Sequence, residues 1–233
     1  LGLPQREIDI SDLVSAHLTA IGHDGQPDAA YENAQARERT QVLMDVCNMH
    51  GGLMVGPGDM SELALGFTTY GGDHMSMYGV NAGLPKTAIR LMVHQTALDT
   101  DNPELKAVLT DILQTPISPE LLPGGSASQQ TERILGSYEV NDCILWHVLG
   151  GADMPAILTH LEGAFPELDA GRRREALKHF MRRFAANQFK RSCLPDGPMV
   201  LGRSLSPRGG LTMPSDADAG VWLTAIERSE PHA

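Results

Sequence analysis

Cysteine is scarce in this sequence, and the three cysteines lie far apart. Cys47, Cys143 and Cys193 form no Cys-x-x-Cys pair, so neither a disulfide framework nor a zinc site is indicated. No uninterrupted apolar run approaches the roughly 20 residues that a membrane-spanning helix needs. These absences argue against disulfide-rich secreted proteins and membrane proteins, and they predict a protein of the reducing cytoplasm.

Common catalytic signatures are absent as well. The nine histidines include no His-Glu-x-x-His motif and no His-Cys cluster, so catalytic zinc has no support. No Gly-x-Ser-x-Gly nucleophile elbow and no P-loop lysine motif occurs. The first residues include neither a basic stretch followed by an apolar one nor an initiator methionine, and we therefore expect the chain to be an internal part of a longer protein.

Positive charge is concentrated in one segment of an acidic chain. The formal net charge of −11 argues against general nucleic-acid binding, which needs an electropositive face. Residues 171–191 nevertheless contain eight lysines and arginines and a single acidic residue, Glu175. An acidic protein that binds nucleotides needs such local cations. A solvated or partner-facing helix surface is the simpler alternative for residues 172–183.

The order of predicted elements indicates an α/β fold. With 233 residues, the chain can form one domain or slightly more. The patterns predict a strand at 6–10, a helix capped by Ser11 or Asp12 and ending near Gly22, a helix at 34–50 capped by Asn33, a strand at 53–55, and helices starting at Pro85 and Pro103. Beyond residue 114 only helices are predicted, at 139–149, 154–162, 170–188 and 216–228. We therefore expect an α/β nucleotide-binding part over 1–114 and a mainly helical extension over 115–233.

The most informative segment is residues 55–87. A short apolar run enters Gly56 and Gly58, and Asp59 or Ser61 can cap the helix that follows. In a parallel α/β sheet, such a corner faces the ligand crevice. The pattern therefore predicts a nucleotide site.

Two charged residues belong to this corner. Glu62 lies in a first helical turn, where backbone amides favour phosphate and a carboxylate can hold the accompanying Mg²⁺, although a glutamate there is common without any ligand. Lys86 follows Pro85 at another predicted helix start, where a cation is unfavourable unless it meets an anion. Both residues are therefore candidates for a phosphate site.

Three separated segments carry a resemblance to a known family. They are YENAQARERTQ at 31–41, the glycine corner with its loop at 55–87, and NQFKRSCLPDGP at 187–198. In this order they resemble the synthetase part of bacterial NAD synthetases, especially the glutamine-dependent two-domain kind. The resemblance implies a Rossmann-like α/β fold of the adenine-nucleotide α-hydrolase type, with a parallel sheet and a helical C-terminal extension.

The resemblance also implies a reaction and its partners. ATP would activate the carboxylate of nicotinate adenine dinucleotide (deamido-NAD) as an adenylate, and ammonia would then displace AMP to give NAD. The substrates would be ATP as its Mg²⁺ complex, deamido-NAD, and ammonia released from glutamine by an upstream domain. A homodimer or larger homo-oligomer is expected.

Site residues follow from the same resemblance, position by position. Asp73 and Lys86 match catalytic positions near the nicotinate ring and the ATP phosphates, and Glu62 matches the acidic ligand of magnesium. The positions that match ATP-binding residues are Gly56, Pro57, Lys86 and Ser118. The neighbouring His74 could be polar loop filler or a ligand contact, and we favour the interpretation as filler.

Four residues match positions that contact deamido-NAD: Asn33, Arg37, Phe189 and Lys190. An arginine fork suits phosphate and carboxylate groups, although Arg37 without the resemblance would be interpreted as part of a solvated helix face. Phe189 replaces a histidine of the family, so stacking is expected in place of a hydrogen bond.

The chain departs from the family pattern in two ways. Pro57 stands where the family has a threonine whose hydroxyl and amide serve ATP, and proline offers neither donor. No Ser-Gly-Gly-x-Asp-Ser loop for the ATP pyrophosphate occurs; the similar run at 124–128 lacks the aspartate, and half of the ATP site would lie before Leu1. We therefore expect the isolated chain to be inactive.

Two alternatives stay open from the sequence. The first is a non-catalytic dinucleotide-binding or assembly module derived from such a synthetase, which Pro57 and the missing loop favour. The second is an amidating enzyme similar to GMP synthetase, which shares the ATP chemistry but not the segment at 187–198.

Overall fold

The computed structural model describes residues 3–115 and 136–229. These residues form two short strands and ten helices. In chain order they are α1 (Ser11–Ala20), α2 (Ala29–His50), β1 (Val55–Gly56), α3 (Met60–Leu65), β2 (Tyr78–Gly79), α4 (Lys86–Asp99), α5 (Pro103–Gln114), α6 (Tyr138–Leu149), α7 (Met154–Ala164), α8 (Ala170–Ala186), α9 (Gln188–Arg191) and α10 (Gly220–Arg228).

The two strands form a small parallel sheet. Val55 pairs with Tyr78, and Gly56 pairs with Gly79. Parallel neighbours need a long crossover, and here α3 and the loop at 66–77 supply it. A side chain at Gly56 would overlap Ser76, which explains the glycine at the end of β1. The predicted strand at 53–55 is therefore real but shifted toward the glycine corner.

The main core lies among α3, α6, α7, α8 and α10. Its centre consists of fully buried Ile144, Ile157, Leu161, Leu177 and Phe180. Burying each such side chain contributes about 1.5–3 kcal/mol. The apolar stripe of the predicted helix at 170–188 thus faces the core, as helical spacing requires. A second, small cluster of Val14, Leu18 and Ala34 joins α1 to α2.

Basic side chains hold the C-terminal end of α3. Arg191 is fully buried and donates hydrogen bonds to the carbonyl oxygens of Leu63 (3.2 Å) and Ala64 (2.8 Å). Arg183 Nε donates to the Leu65 oxygen at 3.1 Å. These carbonyls lie in the last turn of α3, where no amide of the same helix donates to them. The arginines supply the missing donors. Burial lowers the pKa of Arg191 to about 10, which still leaves it charged near neutral pH.

Several sequence-based expectations need correction. Residues 6–10 form no strand: 6–9 are exposed, and Ile10 is partly buried against the small cluster of α1 and α2. Asp9 Oδ1 accepts from the Ser11 amide at 2.8 Å, where α1 begins. Asn33 does not cap a helix. The helix begins at Ala29 because Asp28 accepts from two backbone amides of its first turn. The last helix begins at Gly220 rather than at 216.

The fold class is α/β, as the sequence predicts, although helices dominate the described residues. Both strands lie before residue 114, and the division of the chain at that point stays a prediction. Across 3–115 and 136–229, no helix is long and apolar enough to cross a membrane.

Candidate functional site

The glycine corner places a capping box at the start of α3. Asp59 Oδ1 accepts from the Glu62 amide at 2.9 Å, and Glu62 Oε2 accepts from the Asp59 amide at 3.2 Å. Two orphan amide donors of the corner are thereby satisfied reciprocally. The capping box uses Asp59 Oδ1 and Glu62 Oε2, and it leaves Asp59 Oδ2 and Glu62 Oε1 available for other contacts.

Those two remaining oxygens meet Lys86, the first residue of α4. Its Nζ lies 2.6 Å from Asp59 Oδ2 and 2.9 Å from Glu62 Oε1. The ammonium also lies 5.2 Å from the ring centre of Tyr138 on α6, within cation–π range. We call Asp59, Glu62 and Lys86 the acid–lysine cluster. The anion that a lysine at a helix start requires is thus supplied by the protein itself.

Burial controls the protonation of this cluster. It raises the pKa of Asp59 and Glu62 above their ordinary values, and Lys86 opposes the increase only in part. Burial also lowers the pKa of Lys86, but the attraction of the two carboxylates outweighs it, and the net shift is upward. The three groups therefore depend on one another for their charge states.

The cluster suits a metal ion that arrives with a phosphate substrate. Carboxylate oxygens are ligands that Mg²⁺ accepts, usually one or two from the protein together with waters and phosphate oxygens. Within residues 3–115 and 136–229, no group of three or more histidine, cysteine or acidic side chains could hold a metal ion by itself. Because Lys86 contacts both carboxylates, an ion could reach Glu62 only if the lysine moves away from it.

A second cluster surrounds the loop at 66–77, at the other end of α3. Asn33 Oδ1 accepts from the Thr69 hydroxyl at 2.9 Å, and Arg37 Nε donates to the Tyr70 carbonyl at 3.0 Å. Asp73 Oδ1 accepts from the Thr69 amide at 2.7 Å. The predicted residues from α2 and from the loop itself therefore meet at one place.

Residues of α9 contact the same loop. Lys190 Nζ donates to the carbonyl oxygens of Gly66 and Thr68, each at 2.7 Å. The Phe189 ring lies 5.4 Å from the Tyr70 ring, and both rings are nearly half exposed. Such a pair offers an aromatic surface on which a planar ring can stack. All four residues predicted to contact a dinucleotide thus touch one loop.

His74 is not polar loop filler. It is buried, its Nδ1 accepts from the Gly71 amide at 3.0 Å, and its Nε2 lies 3.4 Å from Cys193 Sγ. Its ring stacks on Tyr70 with a centroid distance of 5.1 Å. Burial lowers the pKa of His74. The interpretation of His74 as filler is therefore wrong, because the residue shapes the loop.

The remaining predicted residues have separate positions. Gly56 is buried in β1, whereas Pro57 is exposed and its carbonyl accepts from Asn81 Nδ2 at 3.0 Å. Ser118 and the run at 124–128 lie outside the described residues.

Sequence reasoning missed Asp142 and Tyr138, which α6 directs toward the acid–lysine cluster. Asp142 accepts from the Thr87 amide and hydroxyl at 2.9 and 2.8 Å. The available signal was a carboxylate directly before the apolar run at 143–146 of this helix, because a charge that is buried with such a run needs partners.

Comparison with known proteins gives consistent matches. The profile of the NAD synthase family matches residues 1–193. A glutamine-dependent NAD(+) synthetase from Mycobacterium leprae (strain TN) is 38% identical over 260 aligned positions, covering 99% of this chain and 38% of that protein. An NH(3)-dependent NAD(+) synthetase from Hyperthermus butylicus is 36% identical over 149 positions, covering 63% of this chain and 48% of that protein.

A solved structure agrees with the fold. The crystal structure of a glutamine-dependent NAD(+) synthetase from Cytophaga hutchinsonii matches with a TM-score of 0.69 at 18% identity. The match covers 94% of this chain and 34% of that one. The chain therefore spans less than half the length of each of these three relatives.

The buried acid–lysine cluster predicts a pH-dependent effect of replacing Lys86. In Lys86→Met, the carboxyl groups of Asp59 and Glu62 lose their cation, and their pKa values rise further above those of the unfolded chain. The folded state then binds more protons than the unfolded state, so its stability increases as the pH falls. We expect a loss of about 3 kcal/mol at neutral pH, shrinking toward about pH 5, in urea unfolding over a pH series.

Lys178 supplies the matched control. It also lies near two carboxylates, Glu175 at 3.5 Å and Glu227 at 3.6 Å, but both of these are largely exposed. Lys178→Met should cost at most about 1 kcal/mol at any pH in this range. Equal losses for the two variants would contradict a special role of burial at Lys86.

Proposed function

Because the chain belongs to the NAD synthase family, we propose that it holds ATP and deamido-NAD for the ATP-dependent amidation that yields NAD. The nicotinate carboxylate attacks the α-phosphorus of ATP, forming an adenylate and releasing pyrophosphate. Ammonia then attacks the activated carbonyl carbon, AMP leaves, and the nitrogen loses a proton. The observation that carries this proposal is the acid–lysine cluster at the turn between β1 and α3.

The charge of this cluster fits a metal–triphosphate complex. Two carboxylates and one ammonium leave one net negative charge, which repels a bare triphosphate. Magnesium, when bound with the phosphates, would reverse that sign and neutralise charge that develops on them. In the proposal, Lys86 turns from Glu62 to a phosphate oxygen, and Glu62 becomes available as the metal ligand.

The loop at 66–77 fits the second nucleotide. The cations Arg37 and Lys190 both contact it, and Tyr70 with Phe189 offers an aromatic surface for a planar ring. We assign to Asp73, in the same loop, the role of accepting the proton that the attacking ammonia loses. A carboxylate within hydrogen-bond reach of the nitrogen is suited to that transfer.

The supply of ammonia and the assembly extend the proposal. The M. leprae and C. hutchinsonii relatives are described as glutamine-dependent, and both are longer than this chain. We infer that a glutamine-hydrolysing domain elsewhere in the full-length protein provides ammonia, and that the protein works as a homodimer or larger assembly in the cytoplasm. We also infer that these 233 residues alone turn over no ATP, because they contain no Ser-Gly-Gly-x-Asp-Ser loop.

A product assay tests the proposed function. The full-length protein is mixed with ATP, magnesium, deamido-NAD and either glutamine or ammonia, and the products are separated by chromatography. NAD, AMP and pyrophosphate should form in equal amounts. Binding of deamido-NAD without any AMP would reject the enzyme and support the non-catalytic module that Pro57 favours.

Replacing Glu62 by glutamine tests its role as metal ligand. Gln can keep the capping box, because its amide oxygen still accepts from the Asp59 amide, but the charge is lost. We expect pyrophosphate release in the full-length protein to fall about 100-fold or more. The control is Glu104→Gln in the first turn of α5, which should leave the rate unchanged. Near-normal pyrophosphate release by Glu62→Gln would refute the assignment.

Replacing the cations of the loop tests the second site. Arg37→Ala and Lys190→Ala should each weaken deamido-NAD binding about tenfold, since each removes one charge-assisted contact, and should change ATP binding by less than about twofold. Isothermal titration calorimetry measures both ligands, and the exposed Arg172→Ala is the control. Equal losses for ATP and the dinucleotide would argue against separate sites.

A further inference from the structure

The start of α4 lacks a cap of its own. Its N-cap residue is Pro85, which makes no side-chain hydrogen bond to the first turn. The orphan amides of that turn are satisfied from other elements instead. Lys86 donates its amide to Ser61 Oγ at 2.8 Å, and Thr87 donates its amide to Asp142 Oδ2 at 2.9 Å. The orientation of α4 is therefore set by contacts with α3 and α6.

Asp142 is the centre of these contacts. Its Oδ2 also accepts from the Thr87 hydroxyl at 2.8 Å, and its Oδ1 accepts from the Ser61 hydroxyl. The side chain is buried, and it lies 55 residues from Thr87 and 81 from Ser61 along the chain. One carboxylate thus receives three hydrogen bonds from two helices. A buried carboxylate satisfied in this way holds its donors in fixed positions.

The residues that Asp142 holds are neighbours of the acid–lysine cluster. Ser61 stands between Asp59 and Glu62 in α3, and Thr87 directly follows Lys86 in α4. One turn earlier on α6, Tyr138 lies under the Lys86 ammonium, since positions four apart share a helix face. The geometry therefore ties both halves of the cluster to a single helix.

We propose that Asp142 is a positioning residue that fixes the backbone of Lys86 beside Asp59 and Glu62 through its hydrogen bonds to Ser61 and Thr87, so that only the lysine side chain has to turn. We assign Asp142 no direct contact with either nucleotide. The inference rests on the proposed function for its consequence, because a displaced Lys86 would bind a triphosphate less well. Its structural part can be measured without any nucleotide.

Lysine reactivity measures the position of Lys86 directly. The folded full-length protein is acetylated with a limiting amine reagent, and the rate at each lysine is read by peptide mass spectrometry. Asp142→Asn should raise the rate at Lys86 about fivefold, and the isosteric Thr87→Val should raise it less. Rates at Lys178 and Lys190, which serve as internal references, should change less than about twofold.

The matched control is Asp153→Asn at the start of α7. Asp153 also caps a helix, accepting from the Ala156 amide at 2.8 Å, but it lies outside the network. Its replacement should leave Lys86 unchanged. An unchanged acetylation rate at Lys86 in both Asp142→Asn and Thr87→Val would overturn the proposal. Equal increases at Lys86, Lys178 and Lys190 would overturn it as well, because they would indicate a loss of structure throughout the protein.

Calorimetry with MgATP then tests whether the position of Lys86 affects MgATP binding. Asp142→Asn should weaken MgATP binding about tenfold and change deamido-NAD binding less than about twofold. Altered lysine reactivity in a protein whose wild type binds no MgATP would reject the proposed function and leave the positioning role intact. If Asp142→Asn raised the acetylation rate at Lys86 but bound MgATP normally, the claim that Asp142 supports MgATP binding would be rejected.

Discussion

The buried contact of one ammonium with two carboxylates is the constraint on which the candidate site depends. Asp59 is buried, and Lys86 and Glu62 are partly buried, with 15% and 25% of their side chains exposed. Removing such charges from water is costly, and the mutual attraction compensates only when the geometry is good. The starts of α3 and α4 also meet here, and their partial positive charges favour the two acids. The cluster carries one net negative charge, which these partial positive charges offset in part, and its burial is therefore less costly.

The attraction between Lys86 and the two carboxylates also affects how the cluster can bind a ligand. The attraction that holds Lys86 against Asp59 and Glu62 competes with any phosphate that approaches it. A metal ion offered together with the phosphates would compensate both carboxylates as the lysine turns away. Under the proposed function, the same geometry would favour a metal–phosphate complex over phosphate alone, because only the complex would satisfy all three groups.

The basic segment at 171–191 has a more structural role than its charge suggests. Arg183, Lys190 and Arg191 all donate to backbone carbonyls between residues 63 and 68. Burial lowers the pKa of Lys190, and the nearby Arg183 adds to that effect. These cations hold the end of α3 and the start of the loop. In the proposed site they would bring a preorganised loop to the dinucleotide rather than a set of free charges.

Local patterns predicted what local interactions determine. The sequence predicted a helix cap at Asp59 or Ser61 and a helix that starts at Pro103; both features depend on residues a few positions apart, and the structure has the cap at Asp59 and the helix at Pro103. The strand expected at 6–10 failed because alternation alone supplies no pairing partner. Lys86 indicated that an anion must be near, but its spacing to Asp59 did not identify the partner. Asp142 could not be found by spacing at all, since its partners come from two other helices.

The two candidate clusters occupy opposite ends of α3, and in the proposed function one short helix would therefore serve two nucleotides. Its six residues span about 9 Å at 1.5 Å per residue. The apolar side of α3, including Leu63, Ala64 and Leu65, packs into the main core. Arg191 donates hydrogen bonds to two carbonyl oxygens of the same helix. The separation of the clusters is therefore set by a rigid core element and not by loops. For a reaction in which a carboxylate must meet a phosphorus atom, a fixed distance between the two binding regions lowers the entropic cost of alignment.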